Sequence, residues 1–365
     1  MFSALVDDLV ELQGGFMYRG EKWHLVTVRM KGDLPQLIKT GGFIRHWLRA
    51  ERKQKDPSKD KPDQKPAGVC HLCSAGTEDG GPFEDCNWNA RWAEVVSPLP
   101  WARTPSLLRL LHQASCPERM FRSDIWHNFH GGCGKLFFAS AITECMQRGL
   151  VKGSSRVAKI AEVDSLLKRW ARQPGHSMPH SGGFCVERIG LTSWAVQPDG
   201  SWSKHDDTRV YLEFLEDWLR SRLEGVLADE VLTWIFWATA AINRFFKLLY
   251  SHGLWKTRQE ARTAGVLGRK WLRCYVLLAK RSWEDQKLRF PLVVKHHLLD
   301  HSFRDLILMS ERAPWTWNPL ADSVQLDEDF IGHCARLGRR VSPISQAQRV
   351  LERYRAKSME VWKQG

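Results

Sequence analysis

Two cysteines three positions apart, Cys70 and Cys73, constrain this chain more than any other feature. In Cys70-His71-Leu72-Cys73, followed by small residues, two thiolates can converge on one zinc ion at about 2.3 Å each. Structural zinc takes four ligands, so half of the site has to come from elsewhere in the chain. Cys86, His112, Cys116, His127 and His130 are the completions nearby, and spacing does not choose among them. Cys86, Cys116 and His130 are taken with Cys70 and Cys73 as the expected metal set. Buried, unliganded thiols are the plain alternative. A redox dithiol is the weaker one, because no thioredoxin-like strand and helix surround the pair.

The second constraint is Ser123-Asp124-Ile125-Trp126-His127-Asn128-Phe129-His130-Gly131-Gly132. Asp124 and His127 share a helical face at this spacing, as do His127 and His130. Such a pair can bind a divalent metal or relay a proton. The plain reading is an aspartate capping a helix start, with the histidines packed under aromatics. Gly131 to Lys135 holds the small residues of a phosphate loop without its spacing, which argues against a nucleotide triphosphate site there.

Charge narrows the partners. The formal net charge of +13 favours a polyanion, with nucleic acid ahead of an acidic membrane surface, although solubility charge on an ordinary basic protein accounts for it about as well. Basic residues on the helical stretches, Arg262, Arg269, Lys270 and Arg273, and then Arg336, Arg339 and Arg340, are the expected phosphate contacts. Eighteen tryptophans suit an aromatic core, with base stacking as the minority use. Nine irregularly spaced cysteines do not form a disulfide pattern, and the start lacks a basic-then-apolar leader. A reducing location, nuclear or cytoplasmic, is expected. The apolar run Val231 to Ile242 is shorter than the ~20 residues that cross a bilayer, so no membrane partner is expected. Self-association stays open.

Along the chain, residues 1–50 read as a helix, a strand over Trp23–Met30, a turn at Gly32-Asp33-Leu34-Pro35 and a short basic helix from Gly42. Residues 51–67 are a charged linker. Residues 68–145 hold the knuckle and the Asp-x-x-His segment, and 146–311 form a helical body. His297 and His301 in the latter stand one helical turn apart. Leu298 occupies the place of the glutamate in His-Glu-x-x-His, which excludes a metalloprotease of that kind and leaves a structural histidine cluster or an auxiliary role near Asp124. Residues 312–365 carry the acidic Asp327-Glu328-Asp329, a basic run and an amphipathic helix. The fold class is α+β and mainly α-helical.

The order of these landmarks resembles eukaryotic cut-and-paste transposases of the CACTA and Plavaka/KDZ type, as in transposon-like families of dinoflagellate genomes. The shared order runs over residues 20–340: Gly-Asp-Leu-Pro, Cys-x-x-Cys, Asp-x-x-His before glycines, helices, a His-rich segment and late acids. The resemblance implies a partial RNase H-like fold with a structural Zn²⁺ knuckle and a helical insertion between the second and third acids. Carried over, Asp124 is the second acid, with His127 beside it, and Glu328 is the third. Asp33 is the available first acid, although it fits the family's inner turn better than its first catalytic strand. Mg²⁺ or Mn²⁺ held by these carboxylates would support DNA strand cleavage or transfer. The alternatives are a non-catalytic, zinc-stabilised nucleic-acid-binding protein and a helical protein-interaction scaffold.

Overall fold

Apolar residues recurring every three or four positions make most of this chain helical, as the computed structural model of residues 2–49, 68–251, 253–339 and 341–364 bears out. The charged segment 51–67 and Arg340 lie outside the described residues. The chain divides into two units, Met1–Asp322 and Ser323–Gly365. In the first unit the helices are α1 (Phe2–Gly14), α2 (Leu34–Gly41), α3 (Arg91–Glu94), α4 (Ile125–Asn128), α5 (Gly134–Gln147) and α6 (Arg156–Ala171). They continue as α7 (Val186–Ile189), α8 (Asp207–Arg220), α9 (Leu223–Leu227), α10 (Glu230–Tyr250), α11 (Arg258–Glu284) and α12 (Val294–Arg312). The second unit holds α13 (Gln325–Gly338) and α14 (Gln346–Gln364).

Local chemistry sets the ends of the long helices. Ser155, Asp229 and Thr257 each accept a backbone N–H from the first turn of α6, α10 and α11, and Thr257 with Glu260 completes a capping box. The main core is built on α5, α6, α8, α10, α11 and α12, with Phe137, Phe138, Tyr211, Phe245, Trp271, Tyr275 and Phe303 fully buried. Phe236, Phe245 and Phe246 of α10 are buried in it, while Trp237 and Tyr250 on the same helix are exposed. Two glycines bring α11 against α12: a Cβ on Gly265 would stand 2.7 Å from the Phe303 carbonyl oxygen and 2.6 Å from Ile307 Cγ1, and one on Gly268 would run into the Phe303 ring.

Strands are few and three residues long among the described residues. β1 (Phe16–Tyr18) pairs antiparallel with β2 (Glu21–Trp23), and β5 (Trp255–Thr257) pairs antiparallel with β6 (Trp315–Trp317). β3 (Met30–Gly32) and β4 (Phe121–Ser123) pair in parallel, Gly32 opposite Ser123. The strand expected over Trp23–Met30 is corrected by this: only its two ends join ladders, and Val26 and Val28 point outward, 63% and 53% exposed. Alternation was present, but no sheet face lay beneath its apolar side. Among the described residues 42–49 the basic helix expected from Gly42 does not form; the chain there makes a bridge from Phe43 to Trp101 and a single 3-10 turn at 47–49.

Two satellite cores sit beside the main one. Val6, Leu37, Phe43, Trp101, Leu107, Leu110, Met120 and Phe121 hold α1 and α2 against β4. Val69, Cys70, Cys73, Ala75, Ala90 and Trp92 pack on Val294 and Leu298, which places the knuckle on the first turns of α12. No helix of the described residues is long and apolar enough to cross a membrane.

Candidate metal centre and the neighbouring carboxylates

The knuckle is a tight loop closed by Val69 N–H on the Ala75 carbonyl at 2.9 Å. Its sulfurs accept backbone N–H groups, Leu72 to Cys70 Sγ at 3.3 Å and Ala75 to Cys73 Sγ at 3.4 Å, which aims both thiols to one side. Facing them is α12, whose His297 and His301 stand one turn apart. Cys73 Sγ lies 3.2 Å from His297 Nε2 and 3.4 Å from His301 Nε2, and Cys70 Sγ lies 3.6 Å from His301 Nε2. The two Nε2 atoms are 3.2 Å apart, and all four ligand atoms fall within 4.8 Å of one another. A tetrahedron with zinc–sulfur bonds of about 2.3 Å and zinc–nitrogen bonds of about 2.1 Å has edges of roughly 3.4–3.8 Å. The four atoms fit that cage, so this cluster can hold a metal ion such as zinc.

The surroundings suit a cation. Burial opposes ionisation of both thiols, yet Cys73, His301 and His297 hold Cys70 well below the usual thiol range. Burial and the neighbouring Cys70 push Cys73 well above it. The pair therefore carries one negative charge readily, and a bound cation supplies what is needed to ionise the second thiol. Burial keeps His297 below its ordinary range and so neutral at pH 7, the form that ligates. The Trp92 ring packs edge-on against His297 at 4.4 Å and near His301 at 5.0 Å, closing the site. His71, between the two cysteines, turns away to stack on Phe43 at 4.7 Å and to bond the Phe121 carbonyl at 3.1 Å.

This arrangement corrects the expected ligand set. Among the described residues, Cys70, Cys73, His297 and His301 are the only group suited to a metal, and Cys86, Cys116 and His130 are not in it. Cys86 is half-buried, its thiol pushed up to about 12 by burial and by Asp300. Cys116 lines a separate cavity. His130 is enclosed by Phe129, Phe246 and the α8 side, with its pKa lowered to about 3 by burial, Arg209 and His205. The i, i+4 histidines were visible in the sequence, but nothing local tied them to cysteines more than two hundred positions earlier.

Next to the knuckle, the parallel pairing of β3 and β4 sets Asp33 and Asp124 side by side as the residues that follow Gly32 and Ser123. Both cap helices. Asp33 accepts Gln36 N–H at 2.8 Å; Asp124 accepts Trp126 N–H at 2.8 Å and His127 N–H at 3.1 Å. Asp124 is buried and meets His127 Nδ1 at 2.5 Å, the contact that their spacing predicts. Lys295 from α12 reaches in to bond the His127 carbonyl at 3.0 Å. Burial lowers its pKa, an effect opposed by Cys133, Asp124 and Asp33. Gly132 leaves room for it: a Cβ there would be 2.5 Å from Lys295 Cδ. The Gly131–Gly134 glycines thus serve close packing in a π turn, Phe129–Cys133, that joins α4 to α5. Glu328 stands in the other unit, on α13.

The basic residues divide. Arg269 is turned inward onto the buried Asp300 and the Cys86 carbonyl, which removes it from the expected phosphate contacts. Arg262, Lys270 and Arg273 are exposed on α11, Arg262 with Glu311 and Lys270 over the Trp237 ring at 4.1 Å. Arg336 and Arg339 belong to the C-terminal unit. None of the family models, curated proteins or solved structures compared with this chain matches it.

Proposed function

We propose that this chain is a zinc-stabilised DNA-binding protein of transposase type, its knuckle clamped to α12 by one Zn²⁺ on Cys70, Cys73, His297 and His301. The observation that carries the reading is the parallel β3–β4 pair, which brings Asp33 and Asp124 to one edge beside Lys295. Two carboxylates at the ends of adjacent parallel strands are the arrangement on which an RNase H-like, Mg²⁺- or Mn²⁺-dependent strand cleavage depends. Here both carboxylates already accept backbone N–H groups, and Asp124 also holds His127. That favours a second form of the same reading, in which DNA is bound and not cut. The exposed cations of α11 supply phosphate contacts, and the zinc site holds the fold.

The test is fluorescence anisotropy of a labelled duplex titrated with the full chain at several salt concentrations. Log affinity is expected to fall linearly with log salt, by about 0.9 per phosphate contact. Lys270→Glu with Arg273→Glu should lower both affinity and slope. Absence of duplex binding at low salt would falsify the proposal. Cleavage in Mg²⁺ or Mn²⁺ that is lost in Asp124→Asn would establish the catalytic form over the binding form.

A further inference from the structure

A cavity of about 390 Å³ lies where β3 and β4 meet α12 and the β5–β6 hairpin. Its size falls in the ~300–1,000 Å³ range of small-molecule sites. Three guanidinium groups line it: Arg29, Arg119 and Arg122. Two carboxylates stand among them, Asp305 taking Arg119 at 3.0 Å and Arg122 at 2.9 Å, and Asp322 taking Arg29 at 3.0 Å. Three fixed positive charges against two negative ones leave the wall short of one anion. The described bonds of all three arginines run through Nη1, and no described bond takes Nη2 of any of them.

The opposite wall is aromatic. Trp255, Trp315 and Trp317 come from the two strands of the hairpin, Trp255 paired with Trp317 in register and their rings edge to face at 5.3 Å. Arg29 lies over the Trp317 ring at 4.9 Å, coupling the two walls. Trp255 and Trp315 are 54% and 56% exposed, although indole is costly to leave in water and no core demands them here. A flat ring stacks on such indoles whichever base carries it. Guanidinium groups with free N–H donors match a phosphate in fork geometry.

We infer that this cavity is a nucleotide site, taking a base against the hairpin tryptophans and a phosphate against Arg122 and its neighbours. This goes beyond the proposed DNA binding, which concerns duplex and the face of α11, and either can fail alone. The nucleotide is free or is the 5′-phosphorylated end of a strand; the chemistry of recognition is the same.

Isothermal titration of the full chain with dAMP tests it, beside inorganic phosphate, deoxyadenosine and a 5′-phosphorylated single-stranded trinucleotide. Binding of dAMP is expected at least about tenfold tighter than either half alone, since both walls contribute. Trp315→Ala, at an exposed position, should weaken dAMP by about tenfold and leave inorganic phosphate unchanged. Arg122→Gln should weaken all three phosphate-bearing ligands, while Asp305 keeps its partner Arg119 and the fold stands. A trinucleotide tighter than dAMP assigns the site to strand ends, and the reverse assigns it to the free nucleotide. The inference is overturned if dAMP binds no better than inorganic phosphate, or if Trp315→Ala binds dAMP as the wild type does.

Discussion

Asp300 is the residue on which the most polar chemistry of the interior turns. It is fully buried on α12 and takes both Arg269 and Arg304, the latter through Nε at 3.1 Å. Those arginines then donate to carbonyls of the aromatic segment, Arg269 to Cys86 at 2.8 Å and Arg304 to Trp88 at 2.7 Å and to Asn87. Asp300→Ala would leave two guanidiniums around a buried void and is expected to cost about 3–5 kcal/mol, read by urea unfolding. A loss under about 1 kcal/mol would mean the arginines reach solvent instead. His130 gives a pH prediction of its own. It is buried with neither ring nitrogen bonded, and its pKa is lowered from 6.5 to about 3. The unfolded chain takes up that proton as pH falls below 6.5 while the folded chain does not, so stability drops with acid down to about 3. His130→Phe, which keeps the ring between Phe129 and Phe246, should flatten that part of the stability–pH curve; an unchanged slope would contradict the assignment. At this scale the sequence was half informative. Cys70 and Cys73 announced themselves, and Asp124 with His127 did too, because those signals are local. His297 and His301 as their partners depend on how far-separated elements pack, which spacing does not encode.

Among the elements, the α11–α12 pair decides the geometry of the metal cluster, since α12 carries both histidines. Gly265 sits mid-helix in α11, where alanine is intrinsically favoured by about 1 kcal/mol. Contact with the Phe303 carbonyl at 2.7 Å reverses that sign. Gly265→Ala is expected to destabilise by about 1–3 kcal/mol and to lower metal affinity by shifting α12. A rise in melting temperature would show that propensity wins and that the helices are free to part. The long helices were legible because their apolar period and caps repeat over many turns. The strands were not, since three-residue ladders carry no usable alternation; β3 and β4 pair across the whole knuckle region. The Trp315-Thr316-Trp317 run is a strand only through its pairing with Trp255–Thr257, nearly sixty positions earlier.

The whole molecule is organised around Met1–Asp322, where all three hydrophobic clusters reside. Removing Ser323–Gly365 is therefore expected to leave the melting temperature within a few degrees of the full chain, a change below about 1 kcal/mol. A collapse of the transition would place essential burial in the C-terminal unit. Within the large unit a metal ion held by Cys70, Cys73, His297 and His301 would act as a cross-link, joining a loop from the first quarter of the chain to a helix near its end. That is the central claim, and metal content tests it most directly. Zinc in the purified protein should be one per chain, retained when Cys86 and Cys116 are both changed to Ser and lost when His297 and His301 are changed to Asn. Retention of zinc without those histidines, or its loss with Cys86 and Cys116, would contradict the site described here.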